Sequence, residues 1–575
     1  MKLSRHITCI FIGILLITAV YVNTFHNAFQ FDDIIYILGS ERIKSLSNLP
    51  QILTDIFSRP LLLATFALNY SIGGVSPIGY HLVNIALHIS VSILIYLILL
   101  YTLEKDAKSH LLPFSAALIF ALHPMNTESV TYIISRSSVL SAFFYLLSLF
   151  MFIKANKRGS GVRSQESEVK SQEKLRLTSH DSQLMTLFYL LSSGFFFILA
   201  LGSKEDAVTL PIIVLFYYLF FISTTRNGLS PFRNNLKIIL PFILLASIYP
   251  IVRYFKLGMA GIGDATGIFT PLTYLITELN VIIFYYLRLL FFPINLNVDP
   301  DIRPINSLFS LSTLISMVII FLIVIVSYKF FRRDPIISFA IMWFFVTLMP
   351  TSSVFPLWDP AAEHRVYLPA VGFSIFLARL IGKIGTKTRF FPSTYFMSWV
   401  RMTNLVLCLF ISILLSFSLC TIKRNFIWKD RVSLWEDTVK KSPLKARPHA
   451  ALGLAYNYEK GLIDDAIRQY RIALGIKPFF FDALNNLGIA LDMKGELDGA
   501  MQKYQIALMM KPYSPEIHNN IAIIYAKKGE ISKAEAEFKR SLEIAPDYIK
   551  AKKNLEMLSK GMADFEGSTA VDRYR

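Results

Sequence analysis

Charge is scarce in this chain. Asp, Glu, Lys and Arg make up 17% of its 575 residues, where a soluble chain carries about 25%. Cysteine is scarcer still. The three cysteines, Cys9, Cys408 and Cys420, each lie inside an apolar run. No Cys-x-x-Cys pair and no Cys/His zinc spacing occurs, so neither a disulfide framework nor a zinc site can be argued. The thiols read as small packing residues. Acid is also short, at 40 Asp and Glu against 58 Lys and Arg, a net charge of +18. That excess does not call for nucleic acid. From residue 446 onward there are 19 Lys/Arg and 17 Asp/Glu. Nearly all the surplus therefore falls earlier, mostly in short loops between apolar runs, where the positive-inside rule accounts for it.

What is abundant is apolar. Hydrophobic residues make up 54% of the chain, with 47 Phe and 27 Tyr. This excludes a disordered chain, a fibrous chain and an ordinary soluble enzyme, and points to a polytopic membrane protein with a soluble part attached. The first apolar run, about 7–22, follows a basic start and lacks a small-residue cleavage site. It reads as an uncleaved first span with a cytoplasmic N-terminus. Further spans are expected near 82–101, 111–122, 129–153, 184–201, 206–222, 237–254, 310–328, 335–350, 366–381 and 400–420, eleven in all. In the stretch 274–292, Glu278 and Asn280 shorten the apolar part to 281–292, below the ~20 residues of a span. It reads as a re-entrant or interfacial helix. This choice keeps Lys329, Arg332, Arg333, Lys383, Lys387 and Arg389 in the cytoplasm and puts everything after Cys420 outside. The loop 154–183, rich in Lys, Ser, Gln and Glu, reads as a disordered cytoplasmic linker.

The last part of the chain repeats. Gly461, Gly495 and Gly529 are 34 residues apart, as are Ala466, Ala500 and Ala534, then Tyr470, Tyr504 and Phe538, then Pro478, Pro512 and Pro546. This is the tetratricopeptide pattern. Small residues sit where paired helices touch, and proline ends each second helix. The first repeat carries one extra residue between Gly453 and Gly461. The expected organisation is a membrane domain over 1–421, a connector helix over 422–445, repeats over 446–478, 479–512 and 513–546 with a capping helix to 560, and a frayed tail over 561–575.

Several polar clusters lie beside the spans. The first external loop opens with Phe31-Asp32-Asp33. Two adjacent carboxylates there suit a general base that takes a proton from an acceptor hydroxyl; a solvated loop start or a helix N-cap is the plain alternative. Arg59-Pro60-Leu61, Asn69-Tyr70 and Gly79-Tyr80-His81 follow, and His81, Asn84 and His88 share one helix face. Polar groups in a span face the bundle interior or a cavity, in a structural role as readily as a functional one. Then come His123-Pro124-Met125-Asn126-Thr127-Glu128, Arg136, Ser203-Lys204-Glu205 and Glu363-His364-Arg365-Val366-Tyr367-Leu368-Pro369. Lys204 and Glu205 could simply pair with each other. Under this topology, however, the carboxylates and cations converge on one face. An acidic pair with several cations suits a reaction in which a hydroxyl is activated and a phosphate leaves. Asp299, Asp301 and Arg303 read as a solvated turn around Pro300.

In that order, with Trp428 and Trp435 leading into the repeats, these motifs resemble the bacterial form of the transmembrane and tetratricopeptide-repeat-containing O-mannosyltransferase-like family. Each motif is weak alone; their order is the specific signal. The resemblance implies an all-α fold: a polytopic GT-C-like membrane domain of about eleven spans, followed by a C-terminal tetratricopeptide α-solenoid. It implies an inverting glycosyltransferase of the inner or plasma membrane. The enzyme would move a mannose-like hexose from a polyprenyl-phosphate donor to a hydroxyl, Ser/Thr of an exported polypeptide or a glycan, on the non-cytoplasmic face. Asp32, Asp33 and Glu128 would be catalytic. Arg365, Lys204, His123 and Arg136 would hold the donor phosphate, with Arg59, His81, Glu205, Glu363 and Tyr367 nearby. Ser138 stands where the family often has an acid, which weakens an ion-pair role for Arg136. No cofactor is expected, because the leaving group is one phosphate; some relatives bind a divalent ion, and Asp32, Asp33 and Glu128 are the carboxylates available to one here. The repeats would present a groove to the acceptor or dock a protein partner. A non-enzymatic repeat scaffold and a lipid-linked-sugar transporter are the competing readings. A transporter would be expected to show internal symmetry between its halves, and none is seen.

Overall fold

The computed structural model describes residues 2–55, 59–103, 111–165, 172–222, 239–248, 251, 269–387, 396–561, 565 and 567. Among these, the regular structure is helical throughout. The chain divides into two units. One comprises Met1–Phe29, Glu41–Val298 and Ile302–Phe426; the other comprises Gln30–Ser40, Asp299–Asp301 and Ile427–Arg575.

The first unit is that of a membrane protein. Among the described residues, eight helices are long and apolar enough to cross a bilayer: Ser4–Thr24, Pro77–Thr102, Ile133–Lys157, Gln183–Leu201, Glu205–Ile222, Pro271–Phe291, Leu311–Phe330 and Val406–Ile427. Leu111–Leu122, Ile239–Ile248 and Pro335–Leu348 are shorter apolar helices, and Pro369–Lys387 follows. Each of the eleven expected spans overlaps one of these helices; residues 237–238, 249–250 and 252–254 of the expected span 237–254 lie outside the described residues. Pro60–Gly73 is an additional apolar helix that the sequence reading did not count. Leu311–Phe330 and Pro335–Leu348 form a hairpin, tied at its turn by Ser338, whose hydroxyl donates to the Ser327 carbonyl at 2.5 Å. Gly372 lets two helices approach closely: a Cβ there would lie 2.5 Å from the Ala340 carbonyl oxygen, closer than any packed contact allows.

The Pro271–Phe291 helix has the length to cross, but it does not run from one end of the bundle to the other. The Tyr274 hydroxyl donates to the Thr351 carbonyl at 3.0 Å, just past the end of Pro335–Leu348. Asn280 donates to Thr313 at 2.9 Å, in the first turn of Leu311–Phe330. The Leu290 carbonyl accepts from His123 at 2.8 Å, just past the end of Leu111–Leu122. All three contacts lie at the same end of the bundle, so the helix lies across that end. Its polar residues explain this: Thr277, Glu278 and Asn280 are buried, with Thr277 accepting the Ile305 N–H and Asn280 held by Thr313.

The linker expectation for 154–183 is corrected. The backbone is helical over Arg136–Gln165 and again over Gln172–Leu201; residues 166–171 lie outside the described residues. The segment is rich in Lys, Gln, Glu and Arg, straight-chain helix formers, which continue the flanking apolar helices.

In the second unit the repeats are the helix pairs Ala446–Ala455 with Ile463–Ile476, Phe481–Met493 with Leu497–Met510, and Pro515–Lys527 with Ile531–Ile544, followed by Ile549–Ser559. Gly461, Gly495 and Gly529 take positive φ between the paired helices. The period therefore has a backbone cause, since other residues are strained there. Tyr470 and Tyr504 are buried against Gly453 and Gly488; a Cβ on Gly488 would stand 2.5 Å from the Tyr504 ring. The extra residue of the first repeat is absorbed as a turn of π-helix at Tyr456–Lys460, the usual way a helix accommodates an insertion. The first helices of successive repeats are joined by an asparagine ladder. Asn520 donates to Asn485 and Asn554 donates to Asn519, both at 2.9 Å.

Two short stretches pack with the repeats. Asp299, expected in a solvated turn, is 2% exposed. It accepts from Arg447 at 2.6 Å and pairs with Lys445, while Ser442 donates to its carbonyl at 2.9 Å. Burial raises the carboxyl's pKa, but Arg447 and Lys445 outweigh it and hold the group below its ordinary value.

Candidate active site

Ionisable side chains concentrate at one end of the helix bundle. Glu128 stands on the short helix Thr127–Thr131, which begins directly after the turn Pro124–Asn126. It is 3% exposed. Its Oε1 lies 2.5 Å from Nδ1 of His364, on the turn Glu363–Val366. Burial pushes the Glu128 carboxyl up to about 7, against the downward pull of Arg424, Arg365 and Lys204. Burial, with Lys204 and Arg365, pushes His364 well below its ordinary value. The shared proton therefore belongs to Glu128, which donates to a neutral imidazole.

This pair has a pH consequence. Between the carboxyl's ordinary 4.5 and its folded value of about 7, the unfolded chain has released a proton that the folded chain keeps. Its contribution to stability falls as pH rises through that window. His364 acts oppositely: below its ordinary 6.5 the unfolded imidazole gains a proton that the folded one refuses. Glu128→Gln removes only the first slope. The melting temperature of the wild type relative to Glu128→Gln should therefore decline from pH 5 to pH 7.5 in differential scanning fluorimetry. A difference that grows with pH would refute the assignment of the proton.

Arg365 is partly buried. Its Nη1 donates to the Pro360 carbonyl at 3.2 Å, and Tyr286, Tyr274 and Glu278 surround it electrostatically. Lys204 is 4% exposed. Its Nζ donates to the Ser138 hydroxyl at 2.9 Å and lies 3.6 Å from Asp206. Ser141 donates in turn to Asp206 at 2.8 Å. Lys204 is thus not paired with Glu205. Glu205 instead meets Arg59, 3.3 Å from Nη2, and both side chains are accessible to solvent. Arg59 has φ of +55°, a costly conformation for a residue with a Cβ, and also donates to Ser137 at 3.3 Å.

Other expected site residues have interior roles. Arg136 is fully buried. Its guanidinium donates to Asn84 at 2.6 Å, Asn69 at 2.7 Å, the Tyr80 carbonyl at 2.9 Å and Thr65 at 3.0 Å, and lies 4.7 Å from the centre of the Phe66 ring. It ties three helices together, with four of its five N–H donors in these bonds. His123 is corrected likewise. Its Nδ1 accepts from the Met125 N–H at 3.1 Å, so Nε2 carries the proton given to Leu290. Burial lowers its pKa to about 4 and keeps it neutral. Glu363 is fully buried, accepts the Asn297 N–H at 2.5 Å and lies 3.5 Å from Arg424. The Tyr367 hydroxyl meets His88 at 2.7 Å, and His81 meets the Asn27 carbonyl at 3.1 Å. These three hold the interior together.

The acidic pair of the first loop belongs to the second unit. Asp33 is 1% exposed, and its Oδ2 accepts the Gln30 N–H at 3.0 Å. Asp32 is exposed. Phe31, just before them, has φ of +42°. Its ring packs against Trp435 at 4.8 Å and Trp428 at 6.2 Å.

Known proteins can now be set beside this geometry. A tetratricopeptide-repeat model matches residues 456–515 and a second matches 515–548. A protein O-mannosyl-transferase of Caenorhabditis elegans is 25% identical over 477 residues, covering 80% of this chain and 61% of its own length. Protein O-mannosyl-transferase TMTC1 of Homo sapiens is 26% identical over 482 residues, covering 75% of this chain and 49% of its own. The chain resembles the protein O-mannosyl-transferases over most of its length. It spans about half to three-fifths of those relatives. The Archaeoglobus fulgidus oligosaccharyltransferase aligns over 73% of this chain and 55% of its own, at 12% identity and a TM-score of 0.40; a likeness of that size carries no inference.

Three ionisable residues of this cluster are not among those the sequence singles out: His364, Arg424 and Asp206. His364 lies inside the Glu363–Pro369 motif, between Glu363 and Arg365. Arg424 gives no local signal, because its partner Glu363 is 61 residues away; Asp206 stands two residues from its partner Lys204, beside the Ser203-Lys204-Glu205 motif.

Proposed function

We propose that this chain is an integral-membrane glycosyltransferase. It moves a mannose-like hexose from a polyprenyl-phosphate donor to a hydroxyl, Ser or Thr of an exported polypeptide, on the non-cytoplasmic face of the cell membrane. The observation that carries the reading is the polar cluster at one end of an otherwise apolar bundle, in a chain similar to protein O-mannosyl-transferases. Buried charge at a membrane is costly and marks function.

In this reading Asp32 is the base, because its side chain is exposed whereas Asp33 is buried. Asp32 takes the proton of the acceptor hydroxyl as its oxygen attacks the anomeric carbon. The bond from that carbon to the phosphate oxygen breaks with inversion, and the electron pair leaves with the phosphate. Arg365 and Lys204 stabilise the leaving phosphate, with Arg59 as a further cation. Glu128 and His364 hold one proton between them and can lend it to a phosphate oxygen. No metal enters the scheme, since the departing group is a single phosphate. The repeats engage the acceptor polypeptide or a protein partner.

The test is transfer of labelled sugar by the purified full chain, reconstituted in lipid, from a panel of polyprenyl-phosphate hexoses and nucleotide sugars to hydroxyl-bearing peptides. Transfer from a polyprenyl-phosphate hexose alone is expected. Transfer from nucleotide sugars alone would overturn the donor class. Absence of transfer from every donor would favour the scaffold reading.

A further inference from the structure

The candidate active site uses one end of the bundle, and the other end carries an ionic cluster of its own. Asp334 lies in the turn between Leu311–Phe330 and Pro335–Leu348 and is 2% exposed. Its Oδ2 accepts from Arg379 Nε at 2.9 Å and lies 2.7 Å from Lys383 Nζ. Both cations stand on Pro369–Lys387, with 36% and 34% of their side chains exposed. Lys329, Arg332 and Arg333, in or beside the same turn, are exposed as well. Five cations thus stand against one carboxylate. Leu311–Phe330 starts beside Asn280 at the site end and runs 20 residues to this turn, about 30 Å at the rise of an α-helix. The two clusters therefore belong to opposite faces of the membrane.

Between the two ends lies an apolar cavity of about 350 Å³, bounded by Leu311–Phe330 on one side and by Pro335–Leu348 and Pro369–Lys387 on the other. That volume falls in the range of ligand sites, roughly 300–1,000 Å³. Ile323 and Val326 line one wall, Phe344 and Phe376 the other. Leu311–Phe330 stands off the bundle, with 17% of its apolar stretch buried, whereas Gly372 holds the other two helices in close contact. Phe291 marks the site end of the cavity, its ring 5.0 Å from that of Phe373. The opposite end runs into the cations. Phe330 is one turn beyond Val326, and Lys383 Nζ lies 4.9 Å from the centre of its ring. Phe376, Arg379 and Lys383 share one face of their helix, at spacings of three and four.

An apolar slot with cations at one mouth suits an amphiphile with an anionic head. We propose that this groove binds an acyl chain of an anionic glycerophospholipid from the cytoplasmic leaflet, the side to which basic loops are assigned. Its phosphate rests on Arg379 and Lys383, with Arg332 and Arg333 adding to the attraction. A polyprenyl-phosphate donor fits less well, because its phosphate belongs beside Arg365, on the opposite face. A zwitterionic lipid fits less well because it leaves the cations uncompensated. The bound lipid braces the hairpin against Pro369–Lys387, the helix that follows directly on His364 and Arg365. The inference rests on the membrane reading of this unit and not on sugar transfer.

The probe is phosphatidylglycerol carrying a diazirine midway along one acyl chain, photolysed with the purified full chain in detergent. Label is expected on peptides that contain Ile323 or Phe376. Unlabelled phosphatidylglycerol should displace the probe at least about tenfold more effectively than phosphatidylcholine with the same chains, and added salt should narrow that gap. Ile323→Trp fills the cavity without touching a charge and should abolish this labelling, with the melting temperature held. Equal displacement by the two headgroups would reduce the groove to ordinary lipid contact and overturn the proposal. Displacement by a polyprenyl phosphate at lower concentration than phosphatidylglycerol would give the groove to the donor and overturn it too. So would labelling that a folded Ile323→Trp protein leaves unchanged. If that variant does not fold, the headgroup competition on the wild type decides alone.

Discussion

Replacing Asp32 by Asn should lower sugar transfer by about a hundredfold or more, the usual loss when a general base is removed, with yield and melting temperature unchanged. The side chain is exposed, and asparagine keeps its size. Asp33→Asn should behave differently. Its carboxylate is buried on the Gln30 N–H, and an amide oxygen can still accept that bond. Asp33→Ala cannot, and should cost about 1 kcal/mol of stability. Steady-state transfer rates, compared at matched amounts of folded protein, separate the two residues. Wild-type transfer in both Asn variants would remove the base from the first loop.

The second large effect concerns folding. Arg136→Ala should fail to accumulate as folded protein. The guanidinium satisfies acceptors on Asn84, Asn69, Thr65 and Tyr80, and its removal strands them in the interior. Each buried acceptor left unpaired costs about 1–3 kcal/mol. Four of them rival the roughly 5–15 kcal/mol that holds a typical domain together. Arg136→Lys retains the charge but not the planar fork, and should recover only part of the loss. Size-exclusion profiles and melting curves in detergent read this directly. An Arg136→Ala protein that folds normally but transfers no sugar would return the residue to the phosphate.

The same residue shows where sequence reading reached its limit. Its position in an apolar run said that Arg136 must face a partner. It did not say which, because the partners are 52 to 71 residues earlier in the chain. His123 was misread for a similar reason: its acceptor Leu290 is 167 residues away. The legible parts have local causes. The repeats are visible because a positive φ is required once per period and an aromatic ring must sit over a small residue. The spans are visible because apolar length alone sets them. The helix Pro271–Phe291 falls between: its buried polar residues betrayed that it was unusual, and only the contacts along it show that it lies across the bundle end. Asp299 was lost because nothing near it in sequence announces Lys445 and Arg447.

Phe31 has a consequence for how the protein can be dissected. Holding a bulky residue at φ of +42° costs about 1–3 kcal/mol, and the rings of Trp428 and Trp435 oppose that cost. The stretch Gln30–Ser40 therefore keeps its shape by resting on residues almost 400 positions later, in the unit that carries the repeats. A chain cut before Ile427 would lose the seat of Asp32 together with the solenoid, so loss of activity in such a truncation would not by itself assign a role to the repeats. Point substitutions on the repeats leave that seat in place and separate the two contributions.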